Sequence, residues 1–139
     1  MTLDEMKAMA SRIPNEISKG NLGVFDQVLA SNMVEHAVPP PLPPTGEGTR
    51  QFFTMFRAGF PDLHYHIEDT FAENDRVSLR VTGHGTMKGD FMGMPASGKS
   101  ATWQEIHTIR FANGKVVEHW ATVDQLGMLT QLGFGPGGH

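Results

Sequence analysis

General acid–base chemistry needs a carboxylate or an imidazole, best held beside apolar surface, and the last third of this sequence concentrates those residue types. Trp103, Glu105, His107, Trp120, Thr122 and Asp124 lie within one stretch. Two alternating apolar runs, 101–111 and 115–124, flank Asn113-Gly114. That pair favours a tight hairpin because both central positions of a type I′ turn need positive φ. A regular two-residue turn sets Trp103 opposite Asp124, Glu105 opposite Thr122, His107 opposite Trp120 and Ile109 opposite Glu118. Side chains alternate along a strand, so this register gathers the carboxylates, the imidazole and both tryptophans on one face. Gln104, Arg110 and His119 then point to the other. Such a mixture is unusual for a core and ordinary for a pocket.

Asp124 has two readings. In an apolar pocket, desolvation lifts a carboxylate's pKa toward neutrality, so a single group can both take up and return a proton. An aspartate directly before Gln125 is equally suited to cap a helix. His107 could donate a hydrogen bond to a bound ligand, or serve as a hydrogen-bonded packing residue. Glu105, two residues away on the same face, is either its orienting partner or a second acid/base. A buried carboxylate without a partner is costly, so a contact with His107 or with substrate is expected. Trp103 and Trp120 offer flat surfaces for a planar ligand, or bulk for the core.

Other motifs point away from other chemistries. The chain has no cysteine, which removes disulfides, thiolate metal sites and cysteine nucleophiles. His64-Tyr65-His66 has ligand spacing, but sequence fixes no third ligand, so no metal site is expected. Gly85, Gly89 and Gly93 lack the strand-to-helix passage of a phosphate-binding loop, and no serine-nucleophile elbow occurs. The net charge of −4, without a large basic cluster, argues against nucleic acid. No apolar run reaches the length of a membrane span, and the start lacks the apolar core of a signal peptide. A cytoplasmic protein without membrane or nucleic-acid partners is the expectation.

These residues need elements to position them. Leu3, Met6, Ala10, Ile13 and Ile17 recur at helical spacing, which predicts a helix over 3–19 that Pro14 kinks or divides. Asn21 is placed to cap a second short helix carrying Leu22, Phe25, Val28 and Leu29. A short strand at 33–36 leads into Pro39-Pro40-Pro41-Leu42-Pro43-Pro44, which reads as a stiff connector more than a recognition motif. Phe52, Phe56 and Phe60 form an aromatic stripe on a helix from about Gly46 to Phe60. Runs 64–73 and 76–85 form a second hairpin around Asn74-Asp75. A three-residue turn would put Tyr65, Ile67 and Phe71 on one face with Val77, Leu79 and Val81; a two-residue turn would scatter them. Residues 89–99 form a loop and about 125–132 a helix. Helices followed by antiparallel strands predict an α+β fold in one domain over 1–139.

Several ordered segments resemble the SnoaL-like polyketide cyclase (ester cyclase) family, within the nuclear-transport-factor-2-like, ketosteroid-isomerase-like fold. They are Asn32-Met33-Val34-Glu35-His36, Phe60-Pro61-Asp62-Leu63, Asp75-Arg76-Val77, Gly85-Thr86, Gly89-Asp90-Phe91 and Met94-Pro95-Ala96-Ser97-Gly98-Lys99. Arg110 to Trp120 and Asp124-Gln125-Leu126-Gly127-Met128-Leu129 complete the match. The resemblance implies a conical barrel in which a strongly bent antiparallel sheet wraps around the N-terminal helices, with one deep pocket and a short C-terminal helix. It also implies intramolecular aldol-type cyclisation of a hydrophobic polyketide-like carbonyl substrate, with no metal or cofactor, by a homodimer or higher homo-oligomer. The family's acid/base falls on Asp124, its pocket histidine on His107, and the histidine before the proline loop on His36. Glu105 departs from relatives, which often carry an apolar or small residue there. Met92, Phe52 and Phe56 are expected to complete the substrate wall. A ketosteroid-type isomerase or epoxide hydrolase would also use pocket carboxylates, although Arg110 faces away from Asp124. A non-catalytic binding or dimerisation module would need no acid/base.

Overall fold

The computed structural model describes residues 1–135. Helix α1 runs from Leu3 to Ser18 behind a Thr2/Glu5 capping box, and α2 from Val24 to Val28. Strand β1 (Leu29–Glu35) leads through the proline segment to α3 (Gly46–Gly59). Strands β2 (His64–Glu73), β3 (Arg76–Thr86), β4 (Ser100–Ala112) and β5 (Lys115–Val123) follow, then α4 (Gln125–Leu132). The five strands form one sheet in the order β1-β5-β4-β3-β2. The last four strands pair antiparallel, whereas β1 runs parallel to β5, so the sheet is mixed rather than wholly antiparallel. No described helix is long and apolar enough to cross a membrane.

The core fills the inner face of this sheet. Alternate residues of β3 (Val77, Leu79, Val81) and β4 (Ala101, Trp103, Ile109, Phe111) are buried against Met6, Ala10 and Ile17 of α1 and Phe53 and Phe56 of α3. α1 continues unbroken through Pro14, which is buried against the core. Gly23, not Asn21, precedes α2, and no side chain caps it; the Asn21 amide donates instead to Glu16.

Two bulges set the faces. The β2–β3 hairpin begins with the two-residue turn, pairing Glu73 with Arg76. The register then shifts between Ile67 and Asp69, so Ile67 faces Val81 and Tyr65 faces Gly83. Phe71, on the turn side of the shift, is consequently exposed while Tyr65 is buried. The β4–β5 hairpin behaves alike. Ala112 pairs with Lys115 and Phe111 with Val116, but Arg110 pairs with Glu118, leaving Val117 as the extra residue. One extra residue turns every later side chain of β5 to the opposite face.

Candidate functional site

That bulge decides what enters the cavity. Beyond it, Ile109 lies opposite His119, His107 opposite Ala121, and Glu105 opposite Val123. The inner face of β5 therefore carries His119, Ala121 and Val123. The regular register expected from Asn113-Gly114 is corrected: Trp120 and Thr122 lie on the outer face, and His119 lies inside. Trp120 pairs with Thr108 there, stacks on the His36 ring at 5.1 Å, and receives the Arg76 guanidinium at 5.1 Å. His36 bonds Glu118 at 2.7 Å, and Glu118 also accepts from Arg110 at 2.9 Å. His36, Trp120 and Thr122 thus stand outside the cavity.

Asp124 is also outside it. The residue is exposed, and its Oδ1 accepts the Gly127 amide at 3.0 Å at the start of α4. Its own amide donates to Gln104, a residue of the outer face. The capping arrangement is the one the structure displays, and no contact joins Asp124 to Glu105 or His107 among the described hydrogen bonds.

A cavity of about 300 Å³ lies between the inner face, α3, the 91–92 loop and the start of α4. Phe52, Phe53, Phe56, Phe91, Met92 and Met128 provide much of its wall. Phe52, Phe56 and Met92 were expected there. Trp103 does not line the cavity but backs it, stacked on Phe56 at 5.9 Å.

The polar part of the wall is one continuous row. Glu105 Oε1 meets His107 Nε2 at 2.7 Å; His107 Nδ1 meets His119 Nε2 at 2.8 Å; His119 Nδ1 meets Glu35 Oε2 at 2.6 Å. Each end is anchored. Trp103 Nε1 donates to Glu105 Oε2 at 2.6 Å, and the Thr49 hydroxyl donates to Glu35 Oε1 at 2.6 Å. The Ala37 amide donates to Glu35 as well. Both carboxylates are nearly inaccessible, at 3% for Glu105 and 2% for Glu35.

Burial pushes the Glu105 carboxyl up, but hydrogen bonding and charge from His107, with bonds from Trp103 and Tyr65, bring it below its ordinary value. Glu35 follows the same pattern: burial raises it, and His119, Thr49 and the Ala37 amide outweigh that rise. Tyr65 is held well above the usual phenol value by burial and by the neighbouring Glu105 charge. Two internal carboxylates are therefore stabilised as anions around two imidazoles. Among the described residues, no group of three or more His, Asp or Glu side chains is placed to hold a metal ion.

Of the residues singled out from sequence, the structure brings together Glu105 and His107, with Trp103 behind them. Glu35, His119, Tyr65 and Thr49 were missed. Glu35 comes from β1, whose parallel pairing with β5 sets it beside His119 across 84 positions. Its signal was present as an acidic residue two positions after Met33 on a strand whose alternate residues are buried.

Comparison with known proteins agrees with this architecture. The family model for SnoaL-like polyketide cyclase matches residues 8–132. The aklanonic acid methyl ester cyclase DnrD of Streptomyces peucetius is 32% identical over 81 residues, covering 58% of this chain and 56% of its own. The cyclase of the same name, DauD, from Streptomyces sp. (strain C5) is 36% identical over 70 residues, covering 49% and 44%. The chain thus matches about half the length of these curated relatives. Among solved structures, AclR, a candidate hydroxylase from Streptomyces galilaeus, superposes with a TM-score of 0.85 at 27% identity, covering 97% of this chain and 100% of AclR. IdmH, a candidate polyketide cyclase from Streptomyces antibioticus, gives 0.81 at 26% identity, covering 92% and 98%. With a family model matched across nearly its whole length and the same fold in these structures, the chain belongs to the SnoaL-like polyketide cyclase family.

Proposed function

We propose that this protein is a cofactor-independent cyclase that closes a ring in a hydrophobic polyketide-like carbonyl compound by acid–base, aldol-type chemistry. The observation that carries the reading is the Glu105–His107–His119–Glu35 row set into an otherwise largely apolar cavity. A cavity near 300 Å³ is at the small end of ligand pockets, and aromatic walls with few convergent polar groups suit a flat apolar molecule.

An aldol closure removes a proton beside one carbonyl, lets the resulting enol or enolate attack a second carbonyl, and protonates the new alkoxide. Imidazole suits both transfers near neutral pH, and a positioned general acid/base is worth roughly 10²–10⁴ in rate. His107 and His119 are the two imidazoles on the cavity wall. Glu105 and Glu35 position them and hold negative charge behind them. Asp124, engaged at the helix start, has no role in this scheme. The test is incubation with aklanonic acid methyl ester in deuterated buffer. The reading requires ring closure, or deuterium entering at a carbon beside a carbonyl, and a loss of about 100-fold or more in His107→Gln. An unchanged rate in that variant would refute it.

A further inference from the structure

The row contains three hydrogen bonds between its four side chains, and each bond needs one proton. Two neutral imidazoles carry one N–H each. With both rings neutral and both carboxylates ionised, the outer bonds consume those two protons. His107 Nδ1 and His119 Nε2 would then oppose lone pairs at 2.8 Å. A third proton removes the conflict and leaves the row with one net negative charge.

We propose that His107 and His119 share this extra proton, and that substrate splits the pair into the acid and the base of the reaction. The inference rests on the acid–base reading above and names its proton inventory. When a substrate carbonyl enters, the His107 Nδ1–H turns from His119 to the carbonyl oxygen, which exposes the His119 Nε2 lone pair. That lone pair takes the proton from the adjacent carbon. The C–H pair becomes the enol double bond as the carbonyl oxygen gains the His107 proton. One proton has left the pair and one has joined it, so the pair keeps its charge. Ring closure reverses the traffic: His119 protonates the new alkoxide, and the enol O–H proton returns to His107 as its carbonyl reforms.

The surroundings support this assignment. Both rings line the cavity, and Ala121, directly opposite His107, leaves space beside it. The ionisable groups facing the pair are Glu105 from β4, Glu35 from β1 and Tyr65 from β2; α1 offers only Ile13, Pro14 and Ile17, while α3 offers Thr49 and the rings of Phe52, Phe53 and Phe56. Arg110, Glu118 and His36 are occupied with one another on the far face of the sheet. No cation among the residues lining either side of the pair competes with the shared proton.

Glu105→Gln separates this proposal from ordinary histidine packing. The amide oxygen can still accept from Trp103, while the amide N–H₂ donates to His107 Nε2. His107 then donates to His119, and His119 to Glu35, so all three bonds are satisfied with two neutral rings. The measurement is ¹⁵N–¹H correlation of ¹⁵N-histidine-labelled protein across pH, without substrate. Wild type should show the equivalent of one doubly protonated ring shared by His107 and His119 at pH 7. In Glu105→Gln the pH at which that proton leaves should fall by about one unit or more, a tenfold loss of proton affinity. Two neutral rings in the wild type at pH 7, or an unchanged titration in the variant, would overturn the proposal. The wild-type spectrum decides even if the variant does not fold. Absence of turnover would refute the cyclase reading and leave the proton count standing.

Discussion

Gly83 of β3 lies opposite Trp103 of β4, and a methyl group there would meet the indole head-on. A Cβ built on Gly83 falls 2.6 Å from Trp103 Cε2 and 2.8 Å from both Cζ2 and Nε1. These separations are well inside van der Waals contact, and the indole is wedged against Phe56 and Phe60, so it cannot retreat freely. Overpacking of this kind costs about 1–3 kcal/mol. Any displacement also lengthens the 2.6 Å bond from Nε1 to Glu105, and a bond to a charged group contributes roughly 1.5–3 kcal/mol. The two losses share one movement, so Gly83→Ala should destabilise by about 2–4 kcal/mol. With a urea slope of about 1–3 kcal/mol per molar, the midpoint should fall by about 0.7 M or more. Trp103→Leu, whose side chain ends short of these positions, removes both the clashing atoms and the bond. In that background, Gly83→Ala should cost less than about 1 kcal/mol, a strongly non-additive cycle. Equal costs in both backgrounds would refute the argument that Trp103 transmits the damage.

Acid should destabilise the fold through Glu35 and Glu105. Both sit below the ordinary glutamate value when folded, so the unfolded chain binds more protons as pH falls. Their stabilisation is complete above the unfolded value and is lost as pH drops through the folded ones, with a slope up to about 1.4 kcal/mol per pH unit for each group. Urea midpoints between pH 7 and 3 check this, and Glu105→Gln should flatten the slope. Asp124→Ala should cost about 0.5–2 kcal/mol through loss of the helix cap, and Asp124→Asn much less, by thermal or urea unfolding. Trp120→Phe, on the outer face, should leave ligand affinity of the cavity unchanged in a fluorescence titration with aklanonic acid methyl ester. Ala121→Leu, opposite His107, should weaken that affinity by filling the space beside the ring.

What the sequence disclosed and what it concealed separate along physical lines. The Phe52/Phe56 stripe, the Asn113-Gly114 turn and the alternation of Trp103, Glu105 and His107 are local patterns, and each appears where spacing predicts it. The Glu105–His107 contact follows from two residues sharing one strand face. A bulge has no comparably strong local signature, and the extra residue at Val117 exchanges Trp120 for His119 at the cavity wall. The shift near Glu68 likewise buries Tyr65, while the two-residue turn before it leaves Phe71 exposed. Glu35 was hidden for another reason. Its partner is 84 positions away, and only the parallel pairing of β1 with β5 joins them. Asp124 illustrates the converse, because a residue suited equally to capping and catalysis cannot be assigned until its surroundings are known.

On the proposed mechanism, acid–base function resides in the buried histidine–carboxylate row and not at the helix cap. Steady-state turnover of aklanonic acid methyl ester by wild type, His107→Gln and Asp124→Asn, each confirmed as folded, tests it most directly. A fall of about 100-fold or more is expected for His107→Gln, and a rate within about twofold of wild type for Asp124→Asn. Loss of turnover in Asp124→Asn with His107→Gln still active would contradict it.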